Sequence, residues 1–288
     1  MAPRRRTVAH ALAGYAVLAP AFAVFIAFFF WPLYRLVHYS LYQQNVQGTK
    51  ERWVGPQQIV DTLTGSGFRQ GLWVNILFLV MTVPAGVILG VLLAVSANRQ
   101  LRGIKFFRTV FASTIASSVA VSAVVFFTIV NPNIGVFKNV EWLSLNHPTS
   151  ALWAVSLSSI WRNLGLTFVI VLAGLQAVPE EVIEASILDG FGAVRRFFRI
   201  TVPLISPTLM FLAVILTVDA FQAYAQMEIL TGGGPSGSTE TVLFKITKLT
   251  APSDFGKGAA MSLGLFVLTG IVAAGQFAVL NRRVHYGE

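Results

Sequence analysis

No cysteine occurs in the 288 residues, and only 11% of them are Asp, Glu, Lys or Arg. The first absence excludes a disulfide framework and thiolate metal sites, and leaves the redox compartment unread. The second sets the chain apart from soluble domains, in which about a quarter of residues are charged. Twelve acids and four His are thin material for metal or acid–base chemistry. No G-x-x-x-x-G-K-[ST] occurs, so the chain has no P-loop of its own for ATP. Gly232-Gly233-Gly234-Pro235 lacks the Lys-Ser/Thr that a phosphate cradle needs and reads as an external turn. His-Glu-x-x-His, a nucleophile elbow and a paired acidic motif are all missing, which argues against an intramembrane enzyme. No internal repeat of the kind that marks many secondary transporters is visible.

What remains is apolar: 55% hydrophobic residues and a mean hydropathy of +0.69. The chain reads as an all-α integral membrane protein with six transmembrane helices, at about 11–31, 72–97, 109–130, 150–178, 205–230 and 258–280. Runs of about 20 apolar residues suffice for roughly 30 Å of hydrocarbon. Ala21-Phe22-Ala23 mimics a signal-peptidase site, but the apolar run continues through Phe28-Phe29-Phe30-Trp31, so a retained anchor is expected. With N and C termini cytoplasmic (tails 1–10 and 282–288), the inner segments hold more Lys and Arg in less chain than the outer loops. Arg4-Arg5-Arg6, Arg99, Arg102, Lys105 and Arg108 contribute most of that bias. The net charge of +9 is met by membrane lipid and calls for no nucleic acid.

The loop at 179–204, with Pro207 just beyond it, is polar at its start and basic at its end. Pro179 suits the start of a helix. Glu180, Glu181 and Glu184 follow where the positive helix end favours acids. Asp189-Gly190 marks a turn, and a second short helix from Ala193 carries Arg195, Arg196 and Arg199 until Pro203 and Pro207 stop it. Helices this short are marginal alone in water. Ile183, Ile187, Phe191, Phe197 and Phe198 give the hairpin apolar side chains that either lie on the bilayer surface or dock into another protein.

Arg162 and Asp219 are ionisable residues within spans, each roughly 15 Å from the outer end at 1.5 Å per residue. Such residues normally face a bundle interior or an aqueous path. They read as a structural ion pair, as part of a translocation path, or as both. Gln222 and Gln226 follow Asp219 at i+3 and i+7 and would share its helix face; Tyr224 and Glu228 would share another. Amides and a ring suit a polar, hydroxyl-bearing solute, and Asn163 joins the group. Ser113, Ser117, Ser118 and Ser122, with Ala112, Ala116, Ala120 and Ala123, describe a third span made for close helix packing.

Glu184-Ala185-Ser186, Gly190 and Ile200-Thr201-Val202-Pro203 keep the spacing of the EAA loop of ABC importer permeases, which runs E-A-A, three residues, G, nine residues, I-x-L-P. Ser186, Phe191 and Val202 depart from it in residue type. Trp53-Val54-Gly55, Arg102-Gly103 with Phe107-Arg108-Thr109, Leu172-Ala173-Gly174-Leu175 and Leu230-Thr231-Gly232-Gly233-Gly234-Pro235 resemble the carbohydrate-uptake branch of that family over nearly the whole length. Thr114 and Phe126 stand where that branch usually has Pro and Trp. The resemblance implies a type I ABC importer permease in the bacterial inner membrane. It implies a homologous second permease subunit, an extracytoplasmic solute-binding protein and a P-loop ATPase dimer that holds ATP and Mg2+, none of it bound by this chain. Glu180, Glu181, Glu184, Ala185, Ser186, Asp189, Gly190, Phe191 and Arg195 would then meet the ATPase. Glycerol-3-phosphate or a glycerophosphodiester is the preferred solute, ahead of a trehalose- or maltose-like sugar. An ion-coupled secondary transporter is the alternative class.

Overall fold

A computed structural model describes Tyr15, residues 17–98 and residues 102–281. The arginines at 4–6, Arg99 and both expected tails lie outside the described residues. The chain forms two compact units, residues 1–65 with 249–264 and residues 66–248 with 265–288.

In the first unit, helix α1 (Val17–Leu41) runs on past the apolar stretch that ends at Trp31. Its apolar residues are exposed all round, from Val17 and Phe28 to Trp31 and Tyr34. Its most apolar window, none of it buried among the described residues, has lipid as its natural surroundings, while the polar end at residues 35–40 meets the chain that follows. Pro32 does not end it. A π-turn at Ile26–Phe30 opens the ladder just before the proline, with Trp31 N–H donating to Ile26 O. That extra residue absorbs the bond Pro cannot make. A hairpin of β1 (Tyr42–Gln44) and β2 (Glu51–Trp53) follows, paired antiparallel with Tyr42 opposite Trp53. Helix α2 (Gln57–Thr64) is tied back by Gln58 Nε2, which donates to Ser40 O at 3.0 Å.

The second unit holds the larger core. Helix α3 (Ser66–Ala97) packs on α6 (Pro148–Gln176), and α9 (Ser206–Phe221) packs on both. Phe78, Phe168, Val155, Val171, Leu212 and Leu216 fill the centre. Small residues let these helices approach. A Cβ added at Gly90 would lie 1.9 Å from Thr167 Cγ2, and one at Gly174 would lie 2.9 Å from Thr208 Oγ1.

The third expected span is a broken one. Helix α4 (Ile104–Ala116) ends in a 3-10 turn, and α5 (Val119–Val130) leaves it at 104°. Ser117 is extended, and Ser118 caps α5 by accepting from Val121 N–H at 3.2 Å. The expected continuous small-residue stripe is therefore split. Ser122 and Ala123 are buried, whereas Ser113, Ala116 and Ala120 are exposed. Serines that read as packing residues act here as turn and cap residues, because their hydroxyls compete for backbone groups.

Helices α7 (Glu180–Leu188) and α8 (Ala193–Leu204) form the expected hairpin, and α8 meets α9 at 70°. Pro203 does not stop α8 where the sequence suggests. A π-turn at Phe197–Thr201 precedes it, with Val202 N–H donating to Phe197 O, the same device as at Pro32. The break comes at Ile205, and Pro207 opens α9. Helix α10 (Ala225–Thr231) follows a short unwound segment, then come α11 (Val242–Lys248) and α12 (Phe255–Asn281). The described residues thus include four helices long and apolar enough to cross a membrane, and up to six spans if each bent pair is one.

Candidate coupling hairpin and intramembrane ion pair

The hairpin is fixed by its own caps. Pro179 precedes α7 with extended ψ, leaving Glu180 and Glu181 in the first turn. At the far end Gly190 adopts φ +75°. Its N–H donates to Ile187 O and Phe191 N–H reaches back to Ser186 O, both at 3.0 Å. That pair of bonds is a Schellman cap, which needs the left-handed residue that glycine supplies. A Cβ at Gly190 would meet nothing within 4 Å, so the demand is torsional and not one of space. Ser186 is buried and donates from Oγ to Ile183 O at 2.6 Å. The Arg195 guanidinium lies over the Phe191 ring at 4.6 Å, joining the two helices across the turn. Glu180, Glu181, Glu184, Ala185 and Asp189 are all exposed. So are Leu188 at 89%, Val194 at 73% and Phe198 at 65%. Acids, arginines and bare apolar side chains thus share one small rigid knob.

The second cluster joins α6 to α9. Arg162 Nη2 donates to both oxygens of Asp219, at 2.8 and 2.7 Å, and Asn163 Nδ2 donates to Asp219 Oδ2 at 3.2 Å. The side chains of the pair are 18% and 36% exposed, so it is neither sealed in the core nor free in water. Arg162 Nε is buried without a protein partner. One carboxylate therefore accepts three hydrogen bonds from two nitrogens, while the guanidinium keeps donors in hand.

The shared face expected for Asp219, Gln222 and Gln226 does not form. Helix α9 ends at Phe221, and Gln222 to Tyr224 are unwound before α10 begins. Gln222 is exposed, Gln226 is buried on α10, and Tyr224 sits in the break with its ring 6.2 Å from Phe244. Gln222 meets Asp219 through its backbone, its N–H donating to Asp219 O at 3.2 Å, but among the described residues no side-chain hydrogen bond ties these three to the Asp219 carboxylate. Glu228 pairs instead with Lys248 at 2.9 Å. Helical periodicity fails there because the i+3 and i+7 rule holds only while the helix continues.

The model for the binding-protein-dependent transport system inner membrane component family matches residues 63–286. The chain belongs to that family. It is thus a multi-pass inner-membrane permease component of an importer. The sn-glycerol-3-phosphate transport system permease protein UgpA of Rhizobium meliloti (strain 1021) is 32% identical over 281 residues, covering 95% of this chain and 96% of that protein. A crystal structure of a bacterial ABC transporter involved in the import of the acidic polysaccharide alginate has a chain matching with TM-score 0.80 at 20% identity, over 96% of this chain and 98% of that one. A crystal structure of a bacterial alginate ABC transporter in complex with alginate pentasaccharide-bound periplasmic protein has a chain matching with TM-score 0.81 at 19% identity, over 96% of both chains. These likenesses show the type I importer permease fold.

Two residues of this permease component that sequence reasoning passed over bond to the backbone just after Asp219, Asn75 at Ala220 O and Thr241 at Ala223 O. Asn75 and Thr241 are both fully buried. Asn75 offered one signal, an amide well inside an otherwise apolar run, and Thr241 offered none.

Proposed function

We propose that this chain is one of two homologous permease subunits in an ATP-driven, binding-protein-dependent importer, and that its solute is sn-glycerol-3-phosphate or a glycerophosphodiester. In this reading each broken helix completes a crossing, six in all, and both termini are cytoplasmic. No cofactor is bound by the chain; ATP and Mg2+ sit in a separate ATPase dimer. The observation that carries the coupling is the exposed, cap-fixed hairpin of α7 and α8. Its bare Leu188, Val194 and Phe198 beside Glu184 and Arg195 fit a protein cleft better than headgroups, since acids at α7 would be repelled by anionic lipid. If the hairpin contacts closed and open ATPase differently, that difference in free energy biases the membrane helices between inward- and outward-open states.

The near-full-length likeness to glycerol-3-phosphate permeases supports the solute, and so does the chemistry at Arg162. A guanidinium held to one carboxylate at membrane depth can exchange that partner for a phosphate without ever being left unpaired. A trehalose- or maltose-like sugar is the next candidate. The alginate transporter bound to its periplasmic protein supports delivery by an extracytoplasmic binding protein. In proteoliposomes holding both permease subunits, the ATPase and the binding protein, uptake of radiolabelled sn-glycerol-3-phosphate should be ATP-dependent and resist competition by trehalose. Asp219→Ala should abolish that uptake while the complex still assembles. Full uptake by Asp219→Ala would remove the pair from the path.

A further inference from the structure

An unwound segment frees backbone groups, and where these are buried each must find a partner. The break at Gln222–Tyr224 does so through two side chains from elsewhere. Asn75 Nδ2, on α3, donates to Ala220 O at 3.2 Å, and its Oδ1 accepts from Val242 N–H at 2.9 Å. Thr241 Oγ1 donates to Ala223 O at 2.7 Å and accepts from Phe244 N–H at 3.2 Å. Each side chain therefore uses one donor and one acceptor. Each ties a carbonyl at the end of α9 or in the break to a free N–H at the start of α11. Thr241 is also the N-cap of α11, since Phe244 is its third helical residue. Gly71 keeps the contact close: a Cβ there would lie 3.1 Å from Val242 Cα. Asn75, Thr241 and Val242 are all 0% exposed, and Ala220 and Ala223 are 2% exposed.

Ala220 is the residue after Asp219. The staple thus fixes the helix end that presents the carboxylate to Arg162. Its other end holds α11, whose Lys245 pairs with Glu240, after the Gly232–Pro235 turn, at 2.7 Å, and whose Lys248 pairs with Glu228, on α10 before that turn, at 2.9 Å. We infer that Asn75 and Thr241 are positioning residues for transport: they couple the α11 segment to the Arg162–Asp219 pair, so that displacement of α11 shifts Asp219 relative to Arg162. A pair that must open to admit solute gains here a mechanical input from the side of the loop that carries α11. This inference rests on the proposed role of Asp219 in the path.

The assembled importer tests it. Thr241→Val keeps the shape and deletes the hydroxyl, whereas Thr241→Ser keeps the hydroxyl. Coupling of this kind modulates function by roughly tenfold. Thr241→Val should therefore lower the maximal uptake rate about tenfold, and Thr241→Ser should stay within about twofold. The decisive readout is the double variant with Asp219→Glu, which keeps the charge, and with it measurable uptake, but alters the reach to Arg162. Acting through Asp219, Thr241→Val should add no further loss to Asp219→Glu. Additive losses, or equal failure of Thr241→Ser and Thr241→Val, would overturn the inference. Asn75→Leu, which removes the other half of the staple, should reproduce the Thr241→Val phenotype in complexes of normal yield and thermal stability. Full uptake by Asn75→Leu in such complexes would count against it. Wild-type uptake by Asp219→Asn alone would instead defeat the path reading, which separates the two failures.

Discussion

Gly190 and Asp219 show two ways in which one residue carries a site. Gly190 is required for its torsion. Any L side chain at φ +75° costs about 1–2 kcal/mol, even though the space around it is empty. Gly190→Ala should accordingly weaken the cap and leave partial coupled activity. Gly190→Pro removes the N–H that serves Ile187 O and forbids the positive φ altogether. The ratio of solute imported to ATP hydrolysed should fall modestly in the first variant. In the second it should collapse, or the ATPase should be lost on purification; an unchanged ratio in Gly190→Pro would contradict the hairpin's role. In the proposed path Asp219 serves through its charge: it alone neutralises Arg162 in the described structure, and it also receives Asn163. The Glu184–Gly190 spacing, the Asp189-Gly190 turn and the pairing of the two intramembrane charges were all legible in sequence. Each depends on residue type and short spacing, which a sequence displays directly.

Breaks in elements were not legible. Pro203 looked like a helix stop, yet it follows a π-turn that lets the helix continue, as Pro32 does in α1. A proline removes one bond, and whether the chain then stops or bulges is decided by tertiary packing that no local pattern records. The opposite error arose where no proline stands. The expected spans 109–130 and 205–230 run straight through Ser117-Ser118 and through Gln222–Tyr224. Helix α9 alone has 16 residues, roughly 24 Å, short of the roughly 30 Å of hydrocarbon. What permits the unwinding is partners far off in sequence, Asn75 and Thr241 for one break and Gly165 for the other. A Cβ at Gly165 would lie 2.4 Å from Thr114 Oγ1 and 2.6 Å from Ile115 N. Close helix approach can be tested at the firmest crossing. Gly90→Ala must push α3 from α6 at Thr167, which is fully buried and cannot swing away. Overpacking of this kind costs about 1–3 kcal/mol. The purified protein should unfold several degrees earlier than wild type, whereas Gly67→Ala, where a Cβ meets nothing, should change little.

For the whole molecule the first question is which side each loop faces. The absence of native cysteine makes this direct to measure. In intact inside-in cells, Ser236→Cys should react with a membrane-impermeant maleimide and Leu188→Cys should not; in inverted vesicles the reactivities should exchange. Labelling of Leu188→Cys from outside would place the hairpin beyond reach of any cytosolic ATPase. The first helix then bears on assembly. None of the most apolar window of α1 is buried within the chain. Among the described residues nothing therefore selects the outlines of those side chains, and any greasy mixture would serve equally. Positions in that window that nevertheless resist apolar shuffling would trace the footprint of a neighbour, in the proposed assembly the second permease subunit.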